Sequence, residues 1–197
     1  IDNKINFFPI NTDLIIYLIL KNIKNNCKYL EIGASVLKNF MQVNNSLSNS
    51  YLYIYDLNPV NPKYKNEFLD LNKKSDSEKN NTQNKLMYFR GDLFNLNDLS
   101  NFKDHSYVDK FNFIYSDALH TPEAIYREYK DLISSSLSDK FIIYYDDLDI
   151  KGMTDMFKKI FYDLKINFND LNAYTFYING WVGQNERPHK NGIITNL

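Results

Sequence analysis

"CKYLEIGASVLKNFMQVNNSLSNSYLYIYD", residues 27–56, decides the fold class. Residues 27–33 form a short β-rich run that stops at Gly33. Residues 35–47 then carry apolar positions at helical spacing, with Ser35 near the start. Residues 51–56 form a second run, alternating Tyr with Leu and Ile, and it stops at Asp56. Strand, glycine turn, helix and strand again make a right-handed crossover unit, and such units build parallel sheets covered on both faces.

The pattern extends in both directions. Residues 12–25 read as a helix capped by Asn11 or Thr12, with Leu14, Ile15, Leu18, Ile19 and Ile23 on one broad face. Further strands are expected at 85–92, 110–117 and 140–147, alternating with helices near 62–72, 95–103, 122–136 and 151–165. The last of these carries Met153, Met156, Phe157, Ile160, Phe161 and Leu164 at helical spacing, a core stripe. Two final strands, 172–180 and 191–197, have no helix between them and should pair antiparallel, joined by a polar loop. The tract at 72–84, "NKKSDSEKNNTQN", is polar and of low complexity, and reads as a solvated insertion. With no repeat or linker, residues 1–197 are expected to form one domain.

Composition narrows the function classes. Lysine and arginine number 23 against 24 acids, so no global basic field advertises nucleic acid or an acidic membrane. The most apolar early run, residues 14–20, is too short to span a bilayer. The single Cys27 cannot form an internal disulfide, which fits a reducing, cytoplasmic setting or a fold that needs no staple. Heavy use of Asn, Lys, Ile and Tyr fits an A/T-rich genome. The start at Ile1 instead of Met suggests a piece of a longer chain.

Chemistry-bearing residues gather at one end of the strands. In an open α/β sheet, ligands sit beyond the carboxyl ends of the strands. The runs here end in Glu31-Ile32-Gly33, in Asp56, in Gly91-Asp92, in Ser116-Asp117 with His120 close behind, and in Asp146-Asp147. Single acids in turns usually cap helices; five at one rim point to a ligand. After Gly33 come Ala34 and Ser35 with no second glycine, which serves a pyrophosphate poorly. A phosphate-free ligand held by one close backbone approach and a small hydroxyl is better served. Asp56 sits where an acid can accept from two ribose hydroxyls, and Asp92 where one can accept from an exocyclic amine.

In "LEIGAS", "YIYDLNP", "FRGD" and the terminal strand pair, the chain resembles the class I S-adenosylmethionine-dependent methyltransferases over nearly its full length. "FNFIYSDALHTPEAIYREY" and "FIIYYDDLD" are similar to small-molecule O-methyltransferases of the macrocin and cephalosporin-hydroxylase-like type. The resemblance implies a Rossmann-like, seven-stranded, mostly parallel sheet with helices on both faces and an antiparallel last strand. It implies Glu31, Gly33, Ser35, Asp56 and Asp92 as the cofactor set, with Glu31 orienting the loop. Asp117 and His120 would carry catalysis. Asp117, Asp146 and Asp147 would hold a divalent cation, Mg or Ca by their oxygen ligands.

Alternatives stay open at this level. His120 either acts as a general base or packs at the helix start made by Thr121 and Pro122. Asp146 and Asp147 either bind metal or serve the next helix N-terminus. The loop 180–192, with Trp181, Glu186, Arg187 and His189, either shapes the acceptor pocket or is a plain connection. A small-molecule or saccharide hydroxyl is the expected acceptor, and an acidic rim disfavours nucleic acid. The rival readings are a methyltransferase-like domain without activity, kept for interaction or regulation, and a nucleotide-sugar or dinucleotide enzyme.

Overall fold

The computed structural model describes residues 9–23, 26–72, 84–106, 110–182 and 185–197. The polar tract expected at 72–84 therefore lies almost entirely outside the described residues.

Among the described residues, eight strands form one sheet in the order β3-β4-β2-β1-β5-β6-β8-β7. They are β1 (Lys28–Ile32), β2 (Tyr51–Asp56), β3 (Leu69–Asp70), β4 (Lys85–Arg90), β5 (Phe111–Ser116), β6 (Leu137–Tyr145), β7 (Asn172–Val182) and β8 (Asn185–Thr195). The six from β3 to β6 run parallel, and β8 pairs antiparallel with both β6 and β7. Strand order reverses between β1 and β5, which opens a crevice at their carboxyl ends.

Side-chain alternation in each strand feeds two cores. Leu30, Ile32, Tyr53, Tyr55, Ile143 and Tyr145 face α3 (Leu96–His105), α4 (Pro122–Arg127) and α5 (Met153–Lys165). Tyr29, Leu52, Ile54, Phe113, Tyr115 and Tyr144 face α1 (Asn11–Asn22) and α2 (Lys38–Ser46). The expected α5 stripe is core: Met153, Phe157, Ile160 and Leu164 are buried. Cys27 is buried too, and burial pushes its thiol well above the ordinary range. Among the described residues, no helix is long and apolar enough to cross a membrane.

Four local expectations change. The sheet has eight strands, because residues 62–72 make a 3₁₀ turn (Pro62–Glu67) followed by the two-residue β3. Helix α2 starts at Lys38, since Ser35 and Leu37 take left-handed backbone (φ 46 and 67). The helix from Pro122 widens into a π-helix at Glu128–Ile133, with the Ser134 N–H bonding the Tyr129 carbonyl. Residues 180–192 are largely strand: β7 and β8 pair from Asn172↔Thr195 to Val182↔Asn185. Only residues 192–195 of β8 pair with β6. The rest of the hairpin overhangs the ligand edge.

Candidate functional site

A cleft of about 290 Å³ opens at the switch point, lined by Gly33, Ser35, Tyr55, Asp56, Asp92, Phe94, Asp117 and Leu119 among others. Four of the five residues expected to hold a cofactor line it, and so does Asp117. The fifth, Glu31, is buried beneath it and accepts a 2.6 Å hydrogen bond from the Tyr29 hydroxyl. Burial raises the Glu31 carboxyl to about 8, against the pull of that bond.

The glycine turn is built by backbone contacts. A Cβ on Gly33 would lie 2.4 Å from Ala118 Cα and 2.5 Å from the Asp117 carbonyl oxygen, and its φ is +84°. Glycine therefore lets the loop after β1 pack directly on the loop after β5. Asp56 secures the other side. Its Oδ2 accepts from the N–H groups of Ala34 (2.8 Å) and Ser35 (3.1 Å), and its Oδ1 from that of Asn58 (2.8 Å). Asp92 is tied similarly: its Oδ1 accepts from the Phe94 N–H at 2.8 Å, and its carbonyl accepts from the Tyr55 hydroxyl.

Beyond the cleft, the polar groups are joined through side chains. His120 lies between two acids, with Nε2 3.0 Å from Asp117 Oδ1 and Nδ1 3.1 Å from Asp147 Oδ2. The Tyr115 hydroxyl sits 3.0 Å from both Asp117 Oδ2 and Asp146 Oδ2. His189, buried on the hairpin overhang, places Nε2 2.6 Å from Asp146 Oδ1 and 3.9 Å from Asp147 Oδ1. Asp117, Asp146, Asp147, His120, His189 and Tyr115 thus form one connected network.

The network shifts its members. Burial lifts Asp117 to about 6, while the His120 hydrogen bond pulls the other way. The bond to Asp117 raises His120, and burial opposes it. Burial works to lower His189, but its bond to Asp146 and that acid's charge win and bring it to about 9. Burial, then the charge of Asp146, raises Asp147. Behind the turn, Glu128 is fully buried on the π-helix and accepts from the Ser116 hydroxyl. Burial brings it to about 8, and its Oε1 has no hydrogen-bond partner among the described residues.

For a cation, the oxygens of Asp146 and Asp147 and a nitrogen of His189 come within 4.8 Å of one another. Two carboxylates and an imidazole suit a divalent ion. Asp117, expected in that set, is joined to it through Tyr115 and His120. Sequence reasoning passed over Tyr115 and Glu128 and left His189 in a loop. Alternation in β5 puts Tyr115 and Ser116 on opposite faces, a signal that could have flagged Tyr115. His189 becomes visible only once the hairpin is paired.

No family model and no curated protein matches the chain. Among solved structures, a caffeoyl-CoA O-methyltransferase-like protein from Staphylococcus aureus is similar over 95% of this chain and 85% of its own, with 18% identity and a TM-score of 0.55. A SAM-dependent methyltransferase from Methanosarcina mazei is similar over 91% of this chain and 97% of its own, at 11% identity and 0.56. The plantazolicin methyltransferase, solved with a substrate analogue and SAH, is similar over 93% and 81%, at 13% and 0.54. The chain has the class I methyltransferase fold.

Proposed function

We propose that the chain is an S-adenosylmethionine-dependent methyltransferase that methylates a hydroxyl of a small molecule or saccharide. The observation that carries this reading is the placement of Asp117. It lines the cleft beside Gly33, Asp56 and Asp92, and it is also the first member of the Asp117–His120–Asp147 chain. A cofactor held by Asp56 and Asp92 would share the cleft with the first member of that chain, Asp117.

S-adenosylmethionine, held by Gly33, Ser35, Asp56 and Asp92, would supply its sulfonium methyl group to the acceptor oxygen and be released as S-adenosylhomocysteine. Alignment supplies most of the acceleration. The hydroxyl proton passes to Asp117, whose pKa of about 6 lets it be ionised at neutral pH and still accept a proton. His120 orients that carboxylate and spreads the charge to Asp147. Glu31 and Glu128 beneath stay protonated near neutrality, which limits the negative charge around the turn. A divalent cation, where bound by the acids after β6, would lower the hydroxyl's pKa. The acids also speak against a phosphate backbone as acceptor.

Calorimetric titration with S-adenosylmethionine tests the reading. One-to-one binding is expected, and no heat up to millimolar cofactor would overturn it.

A further inference from the structure

We propose that His189 is a metal ligand, and that Asp146, Asp147 and His189 form a mixed oxygen–nitrogen site for a divalent first-row transition cation. The site's use in methyl transfer rests on the reading above; its capacity to bind a cation does not.

Three local devices bring the ligands together. Successive side chains on a strand point to opposite faces, but Asp146 and Asp147 follow the end of β6 at Tyr145, and both approach His189 Nε2. Asp147 turns back because its backbone is left-handed, φ 52. His189 arrives from the overhang of β8 and lies over Gly180. A Cβ there would stand 2.3 Å from the ring's Cε1 and 3.2 Å from Nε2.

Each ligand is also held from behind, leaving one atom facing inward. Asp146 keeps Oδ2 on the Tyr115 hydroxyl and turns Oδ1 to His189. Asp147 keeps Oδ2 on His120 and turns Oδ1 to His189. His189 keeps Nδ1 3.3 Å from the Arg187 carbonyl, which makes Nδ1 the donor and Nε2 the ligating nitrogen. Such outer partners orient ligands at metal centres. A cation entering here displaces the proton between Nε2 and Asp146. Oxygen ligands alone would favour Mg or Ca; an imidazole moves the preference toward Mn, Fe, Co or Zn.

The test uses the whole chain, stripped of metal and loaded with Mn(II). Pulsed electron paramagnetic resonance should show a directly coordinated imidazole nitrogen. His189→Gln should abolish that coupling and weaken Mn(II) binding by about tenfold or more, with a smaller effect on Mg(II). The chain has three histidines, and His105 lies at the end of α3, so retention of the coupling in His120→Ala independently assigns it to His189. An oxygen-only Mn(II) sphere in the unmodified protein, or no Mn(II) bound at millimolar ion, overturns the proposal. S-adenosylmethionine titration of the same sample separates the two readings. Nitrogen-bound Mn(II) without cofactor binding sinks only the methyltransferase reading; cofactor binding with an oxygen-only sphere sinks only the metal site.

Discussion

The two halves of the ligand edge satisfy their acids differently. After β2 and β4, Asp56 and Asp92 accept from backbone N–H groups of their own and neighbouring turns. After β5 and β6, Asp117, Asp146 and Asp147 are held by His120, His189 and Tyr115. Backbone donors cannot titrate or leave, so the first half is a fixed cradle that shapes loops. Side-chain donors can move aside, and an imidazole can also give up its proton or yield to a cation, so the second half is poised for exchange. The same residue type does different work on the two sides because of what donates to it.

The largest expected effect tests whether the second half carries the proton step. His120→Ala should lower turnover by roughly 10²-fold, the order expected when the proton-accepting Asp117 loses the group that orients it, and leave the cofactor dissociation constant unchanged. Equal turnover in variant and parent would take His120 out of the mechanism. A parallel loss of cofactor affinity would show that the halves are not separable.

Gly33 is where the halves touch, through its packing on Asp117 and Ala118. Gly33→Ala forces a side chain into left-handed backbone and against main-chain atoms, at a cost of roughly 2–5 kcal/mol. The melting temperature should fall by roughly 5–15 °C. A fall of less than about 2 °C would mean that the contact between the halves is soft.

Asp56→Asn probes the cradle more gently. The amide keeps the shape but replaces one acceptor oxygen with a donor, facing either the Ala34 and Ser35 N–H groups or that of Asn58. Cofactor affinity should weaken by about tenfold, near the worth of one charge-assisted hydrogen bond. Turnover at saturating cofactor should hold, in contrast to His120→Ala. A loss of turnover with unaltered affinity would reverse the assignment of the two halves.

Most of the cradle was legible in the sequence, because strand ends and turn residues are local features. Gly33, Asp56 and Asp92 fall where strand–helix alternation puts them. The exchange half was legible only in part. The polar stretch between 180 and 191 reads as a loop, but the pairing of β7 with β8 makes most of it strand. From residue 185 to 191, β8 has a strand on one side only, so Pro188 is tolerated there. His189 could not be assigned to the site without that long-range pairing. The π-helix was equally hidden, since an i to i+5 hydrogen bond leaves no periodicity in a short segment, and with it went Glu128.

Glu128 gives the sharpest check on the chemistry behind the exchange half. Its folded pKa of about 8 stands above the ordinary glutamate value of about 4.3. Between those limits the folded state holds one proton more than the unfolded state, so stability falls as pH rises, by roughly 1.4 kcal/mol per pH unit. Glu31, at about 8, acts with the same sign over the same window. His189, at about 9, adds to the fall from its unfolded value of about 6.5 upward. Glu128→Gln keeps the volume, leaves an oxygen for the Ser116 hydroxyl, and cannot ionise. Its melting temperature should therefore decline less steeply than the parent's between pH 5 and 8, and the two curves should run parallel above about pH 8. If the slopes match throughout, Glu128 is already ionised in the folded protein, and the charge balance proposed for the turn after β5 fails with it.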